Sequence, residues 1–312
     1  MEWYYIVLIV LASLVVLVLL TSLVCFFMTF YSFRGAKIDQ VFLPDGEEYQ
    51  RFKPTIVQDI QDARNMNYVE MSITSFDGLK LVGKYYELEK GLPMEIMFHG
   101  YKGTGERDLS TGIKRAHLCN RNALVIDQRA SGGSEGHVIT FGINESKDCL
   151  SWVNHCIEYF GEDVKIMITG ISMGAATVMN ASSYDLPKNV VGILADCGYD
   201  SAKNIIINTI KNMKLSPKIF YPFVKLGARL YGRFNLEEIS PIEAIKHCKL
   251  PIMFIHGETD DFVPCNMSQN VYDACNSTKK IVFIKNAGHG IAYLVEPEKY
   301  IEELEEFFSY TK

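Results

Sequence analysis

The sequence lacks the features that would assign it to several specialised classes of protein. Outside residues 1–33 it contains no internal repeat and no low-complexity tract, and its apolar content there is that of an ordinary globular protein. This composition excludes collagen, a coiled coil, long disorder and a multi-span membrane protein. Its 8 cysteines form no C-x-x-C pair and no spacing typical of zinc, and no His/Asp/Glu cluster has metal-ligand spacing. The net charge of −6 offers no basic excess for nucleic acid. We therefore expect neither a metal site nor a nucleic-acid partner.

Charged side chains are also absent from residues 3–33, which are mostly apolar. A bilayer core of about 30 Å needs about 20 helical residues, so this run is long enough to span it with tilt. Trp3 and Tyr31, near its two ends, are typical of interfacial aromatic belts. A cleaved signal peptide fits less well, since no basic residue precedes the run and no A-x-A site follows. We predict a transmembrane anchor over residues 1–33.

Basic residues follow this anchor and none precedes it. The positive-inside rule therefore predicts a single-pass protein with residues 34–312 in the cytoplasm. Seven cysteines lie beyond the anchor, an odd number that fits unpaired thiols in a reducing compartment. The mixed polar residues 34–66 are predicted to be a juxtamembrane connector with a short helix.

From residue 67 onward, short apolar runs alternate with helix-like segments. Two alternating runs joined by Asp77-Gly78 predict a hairpin. Later runs are typical of strands buried on both faces of a parallel sheet: 94–98, 123–126, 164–169, 190–195, 252–255 and 280–284. The pattern predicts an α/β fold for residues 67–312, with a mostly parallel, doubly wound sheet.

The long interval 199–250 breaks this alternation, because it contains no strand pattern. Residues 201–213 and 219–231 have helical spacing, and the second segment is rich in aromatic residues. A connection of this length is usually functional, so we predict a small helical lid. Two packing helices with no role in binding are the alternative.

The strongest local motif is Gly170-Ile171-Ser172-Met173-Gly174, which follows an apolar run and precedes a helix of small residues. In this setting G-x-S-x-G predicts a nucleophile elbow, a turn so tight that its flanking positions tolerate little but glycine. The turn holds the serine hydroxyl above the sheet, beside the free N–H groups of the helix that begins there. Ser172 is therefore the candidate nucleophile.

A serine needs a base, and the base needs an acid that orients it. Of the 7 histidines, His289 alone follows the final strand, where the chain order Ser…Asp…His places the base. Asp260 and Asp261 are adjacent candidates for the acid. We favour Asp260 and expect Asp261 to cap the turn that follows, although the two positions stay open on sequence alone.

An oxyanion intermediate needs two N–H donors. The backbone N–H of Met173, the residue after the nucleophile, is the first candidate. The second is the N–H of Tyr101, in the loop after the third strand, where His99-Gly100 ends the apolar run. His99 and His256 each precede a glycine at a strand end, and we expect both to brace loops.

Together these residues resemble the α/β-hydrolase superfamily over nearly all of residues 68–310. The segment 127–136, DQRASGGSEG, is similar to the family's D-x-R-G-x-G-x-S loop, with Ala130 in place of the first glycine. The resemblance implies an eight-stranded sheet of order 1-2-4-3-5-6-7-8, no cofactor, and structural roles for Asp127 and Arg129. Within the superfamily the chain resembles bacterial membrane-anchored hydrolases of the serine aminopeptidase and acylpeptidase-like branch.

The sequence thus predicts a membrane-anchored serine hydrolase that cleaves a small acyl ester through Ser172, His289 and Asp260. The aromatic residues of 220–231 suggest an apolar acyl or aryl group in the substrate. Two alternatives stay open: a peptidase or amidase with the same triad and a peptide-like substrate, and a membrane-tethered binding protein that keeps the fold without turnover.

Overall fold

An eight-stranded sheet lies at the centre of the molecule in the computed structural model, which describes residues 2–33 and 46–309. The strands are β1 (Val69–Thr74), β2 (Lys80–Tyr86), β3 (Met94–Phe98), β4 (Asn122–Asp127), β5 (Ile166–Ile171), β6 (Val190–Asp196), β7 (Ile252–Gly257) and β8 (Lys279–Ile284). Their order is β1-β2-β4-β3-β5-β6-β7-β8. β2 pairs antiparallel with β1 and β4, and the remaining strands are parallel, which confirms the predicted fold class.

Twelve helices are described in these residues. They are α1 (Trp3–Thr29), α2 (Glu47–Gln50), α3 (Lys53–Asn65), α4 (Gly105–Leu118), α5 (Ile143–Phe160), α6 (Met173–Ala181), α7 (Ala202–Asn212), α8 (Pro217–Leu230), α9 (Pro241–Ala244), α10 (Asn266–Ala274), α11 (Ala292–Val295) and α12 (Pro297–Phe307). Helices cover both faces of the sheet, so the central strands β3, β4, β5 and β7 are apolar and buried on both sides.

Helix α1 is long and apolar enough to cross a membrane by length and composition. Its 27 residues extend about 40 Å, about 10 Å more than a hydrocarbon core requires. Residues 3–20 are exposed, whereas Phe26 and Phe30 are buried in a core cluster that also contains Met173. Beyond the helix, Tyr31 forms an isolated β-bridge with Val138. The carboxyl end of the predicted anchor is therefore packed into the α/β domain.

The predicted connector falls into two parts. Residues 34–45 lie outside the described residues. The rest carries α2 and α3, and Ile60 and Ala63 of α3 are buried, Ala63 beside Leu109 of α4. The apolar face of α3 therefore contributes to the core of the domain that was predicted to begin at residue 67.

Candidate active site

Ser172 alone connects β5 with α6. Its φ of 56° lies in the left-handed region, which side chains other than glycine rarely adopt. A Cβ on Gly170 would come within 2.0 Å of the Gly174 carbonyl oxygen, and a Cβ on Gly174 within 1.9 Å of the Phe98 carbonyl oxygen. The sequence has glycine at both positions because the elbow leaves no room for a side chain.

Two hydrogen bonds join the three residues predicted to form the triad. His289 Nε2 lies 2.9 Å from Ser172 Oγ, and His289 Nδ1 lies 2.6 Å from Asp260 Oδ2. Asp260 follows β7 and His289 follows β8, so all three residues lie at the carboxyl edge of the parallel strands. Ser172 and Asp260 are buried, and His289 is partly exposed. This arrangement suits transfer of the serine proton to the imidazole.

Asp260 also shapes the loop in which it lies. Its Oδ1 accepts hydrogen bonds from the backbone N–H groups of Phe262 at 3.0 Å and Val263 at 2.8 Å. Asp261, which the sequence analysis expected to cap this turn, is exposed and lines the cavity instead. Asp260 thus caps the turn and contacts His289 at once, because its two oxygens point in different directions.

The surroundings of Asp260 hold it in the ionised form. Burial opposes ionisation, but hydrogen bonds from His256 and His289 outweigh it and lower the pKa of Asp260 to about 2. His256 is fully buried, and its Nε2 lies 3.1 Å from Asp260 Oδ2 and 2.8 Å from the Val263 carbonyl oxygen. As expected, His256 braces the loop and does not reach the cavity.

The predicted oxyanion donors are the backbone N–H groups of Met173, which follows Ser172 in the chain, and of Tyr101. Neither Tyr101 N–H nor Met173 N–H donates a hydrogen bond within residues 2–33 and 46–309. Met173 begins α6, whose first amides have no preceding turn to bond. A Cβ on Gly100 would lie 3.6 Å from Ser172 Cβ, so the loop that carries Tyr101 runs directly beside the serine.

The Tyr101 loop is fixed to the end of α1. Tyr101 Oη donates a hydrogen bond to the Thr29 carbonyl oxygen at 2.7 Å, and Lys102 Nζ donates to the Met28 carbonyl oxygen at 3.2 Å. Both acceptors are among the last carbonyls of the helix, which have no partner within it. No sequence pattern indicates this contact, since the two segments are far apart along the chain.

A second brace joins the Tyr101 loop to the segment 127–136. His99 Nε2 accepts a hydrogen bond from Gln128 N–H at 3.0 Å, and Gln128 Nε2 donates to the His99 carbonyl oxygen at 2.6 Å. Ala130 has φ of 63° and is fully buried. The position that is glycine in the family motif therefore keeps a left-handed conformation with alanine.

A cavity of about 600 Å³ contains Ser172 and His289. Part of its wall is formed by residues of the segment 46–56, namely Gly46, Glu47, Tyr49 and Ile56. Tyr49 is buried and donates its hydroxyl to the His289 carbonyl oxygen at 2.9 Å. Segment 46–56 was not predicted to line the site. The features of the sequence that could have indicated it are Tyr49 and Ile56, which are apolar residues within a polar stretch.

The insertion 199–250, predicted to be a lid, lies away from the cavity wall. Within the described chain none of its residues lines the cavity around Ser172. It reaches the rim through Asn208 Nδ2, which donates to the carbonyl oxygen of Phe262, a cavity residue, at 3.1 Å. Its aromatic helix α8 packs against α1 because Gly227 brings the two backbones together. Helix α2 contributes to the wall of this cavity, and the lid role of 199–250 has no support from these contacts.

Buried polar and charged groups form part of the cavity wall. Arg115, fully buried, forms an ion pair with Glu95, whose Oε1 also accepts from Thr169 Oγ1 at 2.6 Å. Tyr300 Oη donates to Asp196 Oδ2 at 2.8 Å. Other lining residues are apolar and include Ile56, Met97, Leu109, Ile171, Phe262 and Leu294. The cavity wall thus combines apolar side chains with buried polar groups.

One group of potential metal ligands overlaps the triad. Donor atoms of Cys197, Asp260 and His289 lie within 4.8 Å of one another. Burial raises the pKa of the Cys197 thiol well above its ordinary value, which disfavours the thiolate that a metal requires. His289 Nδ1 already contacts Asp260. This donor set fits proton transfer better than it fits a metal ion.

Comparison with known proteins places this geometry in a family. Residues 140–311 match the prolyl oligopeptidase family. YqkD of Bacillus subtilis is 24% identical over 187 residues, a match that covers 60% of this chain and 61% of that protein. Among solved structures, an esterase of Pyrococcus furiosus has a TM-score of 0.65 at 24% identity, covering 81% of this chain and 92% of the esterase.

A second structural likeness is to the acylaminoacyl peptidase of Pyrococcus horikoshii, with a TM-score of 0.57 at 18% identity. It covers 80% of this chain and 43% of the peptidase. At these identities both structures show the fold alone, that of an α/β hydrolase.

Proposed function

Because this chain belongs to the prolyl oligopeptidase family and has the α/β-hydrolase fold, we propose that it is a membrane-anchored serine hydrolase that cleaves carboxylic esters. The observation that carries the proposal is the relay Ser172–His289–Asp260 beside a cavity of about 600 Å³. Such a relay is the arrangement that a serine needs to become a nucleophile near neutral pH.

In the proposed reaction Ser172 Oγ attacks the ester carbonyl while His289 Nε2 takes its proton. Asp260 keeps the Nδ1 proton of His289 directed toward itself and stabilises the imidazolium, a role that its lowered pKa supports. His289 then gives the proton to the departing alkoxide. Water, activated by the same imidazole, attacks the acyl-enzyme and releases the acid together with free Ser172.

The negative charge that develops on the carbonyl oxygen requires donors already in place. The backbone N–H groups of Tyr101 and Met173 fill this role, since Met173 follows Ser172, the Tyr101 loop runs beside it, and neither N–H has another partner in the described chain. Each such donor contributes about 3–4 kcal/mol to the stability of the transition state.

The cavity wall suggests the substrate class. Its apolar residues accommodate an acyl chain, whereas the charged residues Glu47, Arg107 and Asp261 also line it. These charges keep a second candidate function open, that of a peptidase or amidase whose substrate carries a charged terminus. We favour the ester because it is the more easily cleaved bond and needs no dedicated group to protonate an amine.

Membrane anchorage by α1 is part of the same proposal. The helix is apolar and exposed over residues 3–20, and the next charged residue after Glu2 is Arg34. We place the hydrolase domain in the cytoplasm because the basic residues Arg34, Lys37, Arg51 and Lys53 follow the helix.

Initial rates of the full-length protein in detergent micelles test the reaction. p-Nitrophenyl acyl esters and aminoacyl p-nitroanilides should be compared in the parent, in Ser172→Ala and in the control Ser151→Ala on α5. We expect ester turnover that falls at least about 10³-fold in Ser172→Ala and stays unchanged in Ser151→Ala. Faster turnover of anilides than of esters would favour the peptidase. Turnover that survives Ser172→Ala would reject the mechanism.

A further inference from the structure

The segment 201–233, which contains α7 and α8, has an unusual charge distribution. It carries seven basic residues and no acidic residue, in a chain whose net charge is −6. The basic residues are Lys203, Lys211, Lys214, Lys218, Lys225, Arg229 and Arg233. Lys203 and Lys225 pair with Glu237, and the other five have no acidic partner within residues 2–33 and 46–309. A surface of this kind attracts an anionic partner.

Exposed apolar side chains lie among these cations. Ile219 is 59% exposed and Leu230 is 46% exposed, both on α8. Met213 and Leu215, in the turn between the two helices, are also exposed. Exposed apolar residues beside unpaired lysines and arginines are typical of helices that lie in a membrane interface.

Helix α8 packs against α1 close to the point where the exposed part of α1, residues 3–20, ends. A Cβ on Gly227 would come within 2.6 Å of the Ser22 carbonyl oxygen, so the two backbones touch. One turn later, Tyr231 Oη donates to the Leu19 carbonyl oxygen at 3.0 Å. If the bilayer begins near Trp3, its core of about 30 Å ends near Ser22. On that placement, the carboxyl end of α8 lies at the level where the acyl chains meet the lipid headgroups.

We propose that the carboxyl end of α8 rests in the anionic headgroup layer of the bilayer that α1 spans. Leu230 enters the upper acyl region, and Arg229 and Arg233 bind lipid phosphates on either side of it. The other unpaired lysines of the segment add attraction within a Debye length of the surface. This inference rests on the proposed anchorage by α1, and it assigns the insertion to the membrane instead of to a lid.

The proposed contact between α8 and the bilayer is linked to the active site through α7. Asn208 on α7 holds the carbonyl of Phe262 at the cavity rim, and α7 packs on α8. The membrane surface and the cavity rim are thus joined through one pair of helices.

Tryptophan quenching by lipids brominated in the upper acyl chain tests the position of α8. The background is full-length Trp3→Phe, which leaves Trp152, fully buried. Three further variants each add one tryptophan: Leu230→Trp on α8, Leu14→Trp inside α1, and Leu118→Trp. Leu118 is exposed at the end of α4, at the edge of the sheet opposite Ser172. Each variant is reconstituted in phosphatidylcholine vesicles and in vesicles that also contain phosphatidylglycerol.

We expect quenching of Leu230→Trp and Leu14→Trp and none of Leu118→Trp. Adding Arg229→Glu and Arg233→Glu to Leu230→Trp should reduce its quenching about twofold or more in the anionic vesicles, since each arginine near the surface contributes to binding. The matched change Lys90→Glu with Lys165→Glu, at the opposite edge of the sheet, should leave it unchanged.

The possible results distinguish failure of the α8 inference from failure of the proposed anchor. Quenching of Leu14→Trp without quenching of Leu230→Trp would overturn the inference and leave the anchor intact. Absence of quenching at both positions would reject the anchor and the inference together. Equal quenching of Leu230→Trp in the two vesicle types, unaffected by the arginine changes, would overturn the anionic-headgroup assignment.

Discussion

The two proposed oxyanion donors are held in different ways. Met173 N–H is fixed by the elbow, where Gly170, Ser172 and Gly174 determine the turn within five residues of sequence. Tyr101 N–H belongs to a loop that is held by a hydrogen bond from the Tyr101 side chain to the carbonyl oxygen of Thr29, 72 residues earlier in the chain. One half of the site is therefore local, and the other depends on a helix that we propose to be the membrane anchor.

The largest expected effect tests the local half. Gly174→Ala places a Cβ within 1.9 Å of the Phe98 carbonyl oxygen, which is backbone and cannot move aside. We expect it to lower the free energy of unfolding by more than about 4 kcal/mol or to prevent folding. Chemical denaturation followed by circular dichroism measures this effect.

The control is Gly112→Ala in α4, where the nearest atom is the flexible Met97 Sδ at 3.2 Å. It should change stability by less than about 1 kcal/mol. Equal stability of the two variants would show that the elbow is not sterically determined.

The next effect tests the distant half. Phe30 is fully buried between α1 and the domain, and Phe33 is 74% exposed. Phe30→Ala should cost about 3–5 kcal/mol of unfolding free energy, because it leaves a cavity in the core. Phe33→Ala should cost less than about 0.5 kcal/mol. Similar losses in thermal unfolding of the two variants in micelles would mean that the end of α1 is a free tether.

The pH dependence of stability distinguishes the acid from its neighbour. Because the pKa of Asp260 is lowered to about 2 in the folded chain, its ionised form stabilises the fold above the unfolded pKa of about 3.9. This contribution, on the order of 2 kcal/mol, is lost as the pH falls through these values. Urea unfolding between about pH 6 and about pH 3 should show a shallower decline for Asp260→Asn than for the parent. Asp261→Asn should decline as the parent does, and a shallower decline for Asp261→Asn would reverse the assignment.

The smallest expected effect tests the hydrogen bond that joins the Tyr101 loop to α1. Tyr101→Phe keeps the backbone N–H but removes the bond to Thr29, worth about 1 kcal/mol. We expect kcat for ester hydrolysis to fall about fivefold while KM stays near the parent value. Tyr231→Phe removes a similar bond from α8 to Leu19 and should leave kcat unchanged. Parallel losses in both variants would indicate a general loosening of α1 instead of a displaced oxyanion loop.

The elements that sequence could predict are those with local causes. The alternation of apolar runs predicted the mostly parallel sheet, and the elbow glycines predicted the position of Ser172, since strand burial and turn sterics act over a few residues. The strand order was implied by the family resemblance and not by these local patterns. Asp260 and His289 followed from chain order after the last strands. The structure brings their side chains together with Ser172, although the choice between Asp260 and Asp261 needed the direction in which each side chain points.

The elements that sequence missed depend on packing between distant segments. Tyr49 donates a hydrogen bond to the His289 carbonyl oxygen, and α8 packs on α1 through Gly227. Neither contact is indicated by a periodic pattern in the sequence. The interval 199–250 was predicted to be a lid from its length alone. Within it, residues 201–233 carry seven basic residues and no acidic one, and on this signal we base the proposed contact with the membrane surface.

The central claim is that Ser172 is activated by His289. Intact-mass labelling of the full-length protein in micelles with a fluorophosphonate measures this most directly, and the full chain is required because Phe26 and Phe30 belong to the domain core. We predict one adduct on the parent, and none on Ser172→Ala or on His289→Ala. An adduct that persists in Ser172→Ala, or a folded parent that takes up no label, would contradict the account.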